Sequence, residues 1–235
     1  MEKDKLNLSI IIPTYNEKEN IRILIDKIEQ ELLKNNIEGE IIIIDDNSED
    51  GTGMIVEGAK KIYDNLIIKH RKGKLGLSSA VLAGFEIANH EIFCVIDADL
   101  SHPVEKIAVM YNLINNENFD LVIGSRYIDG GKIIGWNLKR KLMSRTATIL
   151  ARPFTKIKDP MTGFFMIKKK CLTSKEFNCK GFKILLEILI KADYKNVKEI
   201  PITFINRKKG KSKANPKEII LYLSDLIQYM KIATK

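Results

Sequence analysis

Asp97 and Asp99 stand one residue apart at the end of an apolar run, in the stretch CVIDADLSHP. Two carboxylates that close repel each other unless something positive lies between them. A pair at i and i+2 converges on one cation, and an all-oxygen donor set suits Mg²⁺ or Mn²⁺. Polar clusters also end other apolar runs. PTYNE (13–17) supplies Tyr15, Asn16 and Glu17, IIDDNSEDGT supplies Asp45, Asp46, Asn47 and Ser48, and DLVIGSR supplies Ser125 and Arg126. A crevice lined by acids holds a nucleotide diphosphate through a divalent cation that bridges carboxylate and phosphate oxygens.

The elements that must position these residues follow from periodicity. LSIII (8–12), EIIIID (40–45), LIIKH (66–70), IFCVI (92–96) and DLVIGS (120–125) read as short strands with few polar interruptions. Helical patterns separate them: Ile21, Leu24, Ile25, Ile28 and Leu32 fall on one face of a 3.6-residue period. Asn16 with Glu19 predicts a capping box for that helix, and Pro103 is expected as the first residue of another. Such alternation implies an α/β fold with a mostly parallel sheet covered on both faces. Ligands bind such sheets outside the carboxyl ends of the strands, which is where all the polar clusters fall.

After Gly130 the pattern changes. Residues 131–135 read as a loop, and 136–152 as a basic amphipathic helix ending before Pro153. KDPMTGFFMIKK reads as a turn and short strand, 182–192 as an apolar helix, and 197–207 as one edge strand, since Pro201 is tolerated at an edge. RKKGKSKANP is expected to be a mobile basic loop. Asn215, Pro216 and Glu218 open a last helix, whose stripe of Ile219, Ile220, Leu223, Leu226, Ile227 and Met230 is expected to pack on the core.

Charge divides the 235 residues unevenly. Residues 1–130 hold 14 Lys+Arg against 23 Asp+Glu, net −9, while 131–235 hold 25 against 7, net +18. Either the second half is merely lysine-rich, or it faces phosphates, nucleic acid or a membrane surface. A nucleic-acid-binding module leaves the acidic crevice without a role and lacks the stacking aromatics of single-strand binders. GxGxxG and GxxxxGK[ST] are both missing, which excludes the phosphate loops of dehydrogenases and P-loop NTPases. A metal-dependent nucleotidyltransferase stays open, although it wants a glycine-rich basic loop where PTYNE stands. No apolar run reaches the ~18 residues that cross a bilayer. Cys94, Cys171 and Cys179 have no CxxC spacing, and the first residues lack a signal-peptide pattern, so a cytoplasmic setting is expected.

PTYNE, IIDDNSEDGT, DADLSHP, GSRY, DPMTGFF and GFKILLEIL, in this order and spacing, resemble the family 2 (GT-A fold) glycosyltransferases. Within these, the dolichol-phosphate mannosyltransferases and other polyprenyl-phosphate glycosyltransferases are most similar, over Leu8 to about Lys217. The resemblance implies a single GT-A domain over 1–235, with a nucleotide-sugar half (1–130) and a basic acceptor and lid half (131–235). It implies that Pro13, Tyr15, Glu17, Ile44 and Asp46 line the pocket for base and ribose, and that Asp97, Ala98 and Asp99 contact the nucleotide sugar. Asp99, with Asp97, would hold Mg²⁺ or Mn²⁺, and Arg126 would meet phosphate or sugar. Arg140 and Ser144 would hold the lipid phosphate, while Lys183, Arg207 and Lys213 would close over the donor diphosphate. The family pattern reads DADLQHP, with a glutamine completing the metal shell where this chain has Ser101. A hydroxyl reaches less far than an amide, so ligation from Ser101 runs through water or the metal preference moves.

The chemistry so implied moves mannose from GDP-mannose, or another hexose such as glucose from UDP-glucose, onto dolichyl or polyprenyl phosphate. A lipid phosphate is already anionic and needs no strong general base; positioning and charge neutralisation remain to be supplied. In-line attack inverts the anomeric carbon. The lipid acceptor implies a peripheral protein on the cytoplasmic face of a membrane, docked through 136–152 (Leu138, Leu142, Met143, Ile149, Leu150) or by a separate membrane-anchoring protein. Among the remaining residues, His102 is expected in a turn or supporting role and Glu187 beside a basic partner. Trp136 fits a membrane interface and a core equally.

Overall fold

The computed structural model describes residues 7–173, 175–178, 183–207 and 216–233, the last helix with its side chains over 220–230. Strands β1 (Leu8–Thr14), β2 (Gly39–Asp45), β3 (Leu66–His70), β4 (Ile92–Val95) and β5 (Leu121–Ser125) answer the apolar runs. With β7 (Phe165–Lys168) and β8 (Val197–Pro201) they form one sheet in the order β3-β2-β1-β4-β7-β5-β8. All neighbours pair parallel except β7, which runs antiparallel to β4 and β5.

Period-2 alternation explains why these runs are apolar throughout: each face of the sheet has its own core. Leu8, Ile10, Ile12, Ile41, Ile43 and Cys94 meet α1 (Ile21–Lys34) and α4 (Lys106–Asn115) on one side. Ile11, Ile42, Ile44, Val95 and Phe165 meet α3 (Leu77–Ile87) and α6 (Ile184–Lys191) on the other. β1 lies between β2 and β4, so the chain winds off it in both directions. The carboxyl ends of β1 and β4 flank that switch point, and there the sheet opens a crevice.

Several local expectations are corrected. Asn16 does not cap α1; at φ 51° its Oδ1 accepts the Glu49 N–H at 3.0 Å, because the loops after β1 and β2 are tied together. The helix begins after Asn20 instead. Pro103 opens a turn rather than a helix: Lys106 N–H bonds Pro103 O at 3.1 Å, and α4 starts at Lys106. Residues 131–135 are not all loop, since β6 (Lys132–Ile134) pairs parallel with β9 (Thr203–Ile205) in a second, two-stranded sheet. The single edge strand over 197–207 is therefore two. Ile202 donates to Ser125 O at 3.0 Å and accepts from Lys132 N–H at 2.9 Å, which hands the chain from the large sheet to the small one.

The basic helix expected at 136–152 is α5 (Leu138–Leu150), and Leu138, Leu142, Met143, Ile149 and Leu150 all lie exposed on it. The last helix, α7 (Pro216–Ala233), buries only Leu226 of the described side chains in the expected stripe. Tyr222, Leu226 and Tyr229 pack against Ala151, Met161 and Leu186, and the Tyr222 hydroxyl donates to Ala147 O at 2.7 Å. Two tyrosines with a hydroxyl to satisfy take the inner face, leaving Ile220, Leu223, Ile227 and Met230 exposed. Glu187 is buried and accepts from Lys191 Nζ at 2.5 Å, the basic partner expected for it. The expected loop 208–215 with Lys213, the cap at Asn215, and Cys179 lie outside the described residues. No described helix is long and apolar enough to cross a membrane.

Candidate active site

The loops after β1 and β2 interlock at the sheet's carboxyl edge. Asn16 N–H donates to Ser48 Oγ at 2.8 Å and Glu17 N–H to Thr52 Oγ1 at 2.9 Å. Asp45 is committed to this scaffold, taking the Ser48 hydroxyl at 2.5 Å. Asp46 pairs with Arg71 at 2.6 Å and accepts the N–H groups of Leu75 (3.1 Å) and Gly76 (2.8 Å), which pins the loop after β3. Burial pushes the Asp46 carboxyl above the usual carboxylate range, although Gly76 and Arg71 pull it down. On that loop the Lys74 ammonium stands 4.3 Å from the centre of the Tyr15 ring. Ile44 is wholly buried in the second core, and Pro13 remains partly exposed beside this scaffold.

Past the end of β4, the backbone turns sharply through Leu100 at φ 61°. Ser101 N–H returns to Asp99 Oδ1 at 3.0 Å, and His102 Nε2 lies 3.0 Å from Asp97 Oδ2. His102 is buried between Phe164 and Phe204, the supporting position expected of it. Burial raises the Asp97 carboxyl, but the His102 contact, with Lys183 and Arg207 nearby, holds it below its ordinary value. Arg207 sits on the second carboxylate: its Nη2 is 2.7 Å from Asp99 Oδ2, and its Nη1 3.5 Å from Glu17 Oε1. In this form, then, the positive neighbours of the aspartates are side chains.

The same residues fit a metal. Asp97 and Asp99 offer carboxylate oxygens, and the buried Ser101 Oγ beside them has no hydrogen-bond partner among the described residues. This donor set is all oxygen, as Mg²⁺ and Mn²⁺ prefer. Among the described residues no three His, Cys, Asp or Glu converge into a ready cage.

Next to Asp97 a cavity of about 450 Å³ runs outward between α5 and α7. Asp97, Arg126, Arg140, Ser144 and Lys183 line it, so five of the residues singled out in the sequence meet there. Arg126 is buried and held by Asp159 through a two-pronged bond, Nε–Oδ2 and Nη2–Oδ1, each 2.7 Å. Lys183 Nζ donates to Met161 O at 3.0 Å; burial, with Arg126 adding repulsion, lowers its ammonium to about 7. Arg140 Nη1 donates to Asn206 Oδ1 at 2.6 Å, and the Tyr127 hydroxyl donates to Ser144 Oγ at 2.8 Å. Burial and the charges of Arg207 and Arg126 depress the Arg140 guanidinium. Leu142, Met143 and Leu223 form an apolar mouth.

Asp99, Glu17 and Arg207 cluster together beside this cavity, whereas Tyr15 and Asp46 lie at the ends of β1 and β2; Ile44, expected to line the pocket, is instead buried within β2 in the second core. Ala98 is buried between the two aspartates. Sequence reasoning missed Asp159, Arg71, Asn206 and Phe204, and Trp136, read as fitting a membrane interface and a core equally, stands against Phe204 in the cavity wall. The Asp-Pro pair opening DPMTGFF was the available signal for Asp159, since a carboxylate before proline in a Gly-containing turn marks a fixed loop.

Known proteins agree with this geometry. Residues 9–174 match Glycosyl transferase family 2. A dolichol-phosphate mannosyltransferase of Pyrococcus furiosus is 43% identical over 96% of this chain, which spans 64% of that protein's length. The dolichol-phosphate mannosyltransferase of Saccharomyces cerevisiae is 38% identical over 94% of the chain and 86% of its own length. Among solved structures, glucosyl-3-phosphoglycerate synthase of Mycobacterium tuberculosis, with Mn²⁺ and UDP-glucose, superposes with a TM-score of 0.68. It shares 16% identity and covers 97% of this chain and 79% of its own. A Pyrobaculum calidifontis mannosyltransferase with GDP-mannose and Mn²⁺ also gives a TM-score of 0.68, at 16% identity, over 98% of this chain and 64% of its own. With the family motifs spread along one mostly parallel sheet of GT-A type, the chain belongs to glycosyl transferase family 2.

Proposed function

We propose that this chain transfers mannose from GDP-mannose to a dolichyl or polyprenyl phosphate, inverting the anomeric carbon. The observation that carries the reading is the cavity beside Asp97: cationic where Arg126, Arg140 and Lys183 line it, apolar at Leu142, Met143 and Leu223. That combination suits a phosphate carrying a hydrocarbon tail. The names of the Pyrococcus and yeast relatives point the same way.

In this reading the nucleotide lies over the ends of β1 and β2, against Pro13, Tyr15 and the Asp46-braced loop, and its diphosphate reaches Asp97 and Asp99. Asp99 and Asp97 would hold Mg²⁺ or Mn²⁺, with Ser101 directly or through water, and the ion would offset charge on the departing diphosphate. Arg207 leaves Asp99 and joins Lys183 and Lys213 over the same phosphates. Arg140 and Ser144 hold the acceptor phosphate, and Arg126, aimed by Asp159, faces the space between donor and acceptor. An acceptor phosphate oxygen forms the new bond to the anomeric carbon as the bond to the β-phosphate oxygen breaks. The electron pair departs with GDP, and no proton has to be removed. The site works at the cytoplasmic surface of a membrane, reached through α5 and α7 or with an anchoring partner.

The test is transfer of radiolabel from GDP-mannose to dolichyl phosphate in detergent, with Mg²⁺ or Mn²⁺ and with chelator. We expect a metal-dependent, β-linked lipid product, abolished by Asp99→Asn. Transfer from UDP-glucose alone would overturn the donor assignment, and labelling of no lipid phosphate from any nucleotide sugar would overturn the function.

A further inference from the structure

Trp136 lies in an unusual setting that the proposed residue roles leave unexplained. It precedes α5, lines the cavity beside Asp97, and packs edge-on against Phe204 with centroids 5.3 Å apart. Two guanidinium groups stand over its ring, Arg140 at 4.2 Å and Arg126 at 5.3 Å from the centroid. Its indole Nε1–H is buried and has no hydrogen-bond partner among the described residues. Buried donors are nearly always bonded, and an orphan calls for an explanation. A Phe in this place would keep the ring contacts without the unmet donor. An N–H donor on a ring that also carries two cations has one natural complement, an anionic oxygen.

We propose that the Trp136 indole N–H is a further ligand of the acceptor's phosphate, beside Arg140 and Ser144. The inference rests on the proposed reading of the cavity as the lipid-phosphate site. The N–H is buried, so a phosphate drawn by Arg126 and Arg140 reaches it through a local shift of the cavity wall. The bond then replaces an unsatisfied donor with a charge-assisted one. The flat ring also holds the two arginines in fixed directions by cation–π attraction.

Trp136 is the one tryptophan of the sequence, so fluorescence excited at the red edge of the absorption band, where the seven tyrosines do not absorb, reports on this site alone. The experiment titrates the protein with farnesyl phosphate, farnesol and inorganic phosphate, then compares the kinetics of Trp136→Phe with the parent. Saturable change is expected with farnesyl phosphate and none with farnesol at equal concentration. Trp136→Phe should raise KM for the lipid phosphate by about tenfold, the typical worth of a hydrogen bond to a charged group, with KM for GDP-mannose unmoved. Unchanged acceptor KM in Trp136→Phe, or fluorescence blind to farnesyl phosphate, overturns the proposal. The titration needs neither donor nor turnover: fluorescence that follows farnesyl phosphate in a protein that transfers no sugar keeps the phosphate ligand and removes only the function proposed above.

Discussion

At the scale of single residues, the aspartates of DADLSHP, Glu17 and Arg126 were legible because each ends an apolar run, where an α/β sheet exposes its ligand edge. Their partners were not. Arg126 finds Asp159 at a separation of 33 positions, and Asp46 finds Arg71 across the loop after β3, so no local pattern announces either pair. Lys183 shows what such long-range company does to chemistry. Burial and the nearby Arg126 bring its ammonium to about 7, against the pull of Asp159 and Asp97. A diphosphate placed on this group favours the charged form and raises its pKa, so the complex holds more proton than the free protein between about pH 7 and the raised value. Donor binding therefore takes up protons, and affinity falls as pH rises through that window, by at most about tenfold per unit for one proton. Calorimetry of GDP with Mn²⁺ in buffers of different ionisation heat measures the uptake. Lys183→Arg, charged throughout, should flatten the profile; a flat profile in the parent would remove Lys183 from the diphosphate.

At the scale of elements, the parallel strands were readable because burial on both faces makes each a nearly unbroken run of Ile, Leu and Val. β6 and β9 were not: each is three residues long with exposed positions, so neither carries a period. The inner face of α7 was read only in part, because Tyr222 and Tyr229 flank Leu226 there and tyrosines were not counted in the stripe. β7 matters most for the site. By entering the sheet antiparallel between β4 and β5, it brings the 159–163 turn back over the end of β4. A Cβ on Gly163 would lie 2.6 Å from Asp97 Oδ1, closer than real side chains come. The turn is thus the seat of the Asp97 carboxylate as well as the source of Asp159. Gly163→Ala should displace Asp97 and lower kcat on the order of 10²-fold, the effect of a misplacement near 1 Å. Melting temperature should fall by only a few degrees, about what 1 kcal/mol of strain produces in a domain of this size. Full activity in this variant would show that the turn does not set Asp97.

At the scale of the whole molecule, one side gathers what a membrane would attract. Leu138, Leu142 and Ile149 on α5 are 85%, 68% and 66% exposed, interleaved with Lys139, Lys141 and Arg145. Ile220, Ile227 and Met230 face outward on α7. Leu142, Met143 and Leu223 belong both to these exposed rows and to the mouth of the cavity, so under the function proposed above a hydrocarbon tail would leave the cavity between the two helices. A water-facing surface gains nothing from isolated leucines at such positions, whereas an interfacial helix gains from both the apolar residues and the basic ones around them. The protein should float with vesicles containing anionic lipid and do so less as salt is raised, since exposed charges are screened within about 10 Å at 0.1 M. Leu138 and Ile149 lie outside the cavity lining, which separates docking from catalysis. Replacing both with Gln should reduce vesicle partitioning at least about tenfold, from the apolar area no longer buried in lipid. Transfer to a short, water-soluble prenyl phosphate should stay within about twofold, because neither side chain meets the phosphate site. Loss of that soluble reaction would mean α5 acts on the site itself, and unchanged flotation would move the membrane contact to α7 or to an anchoring partner.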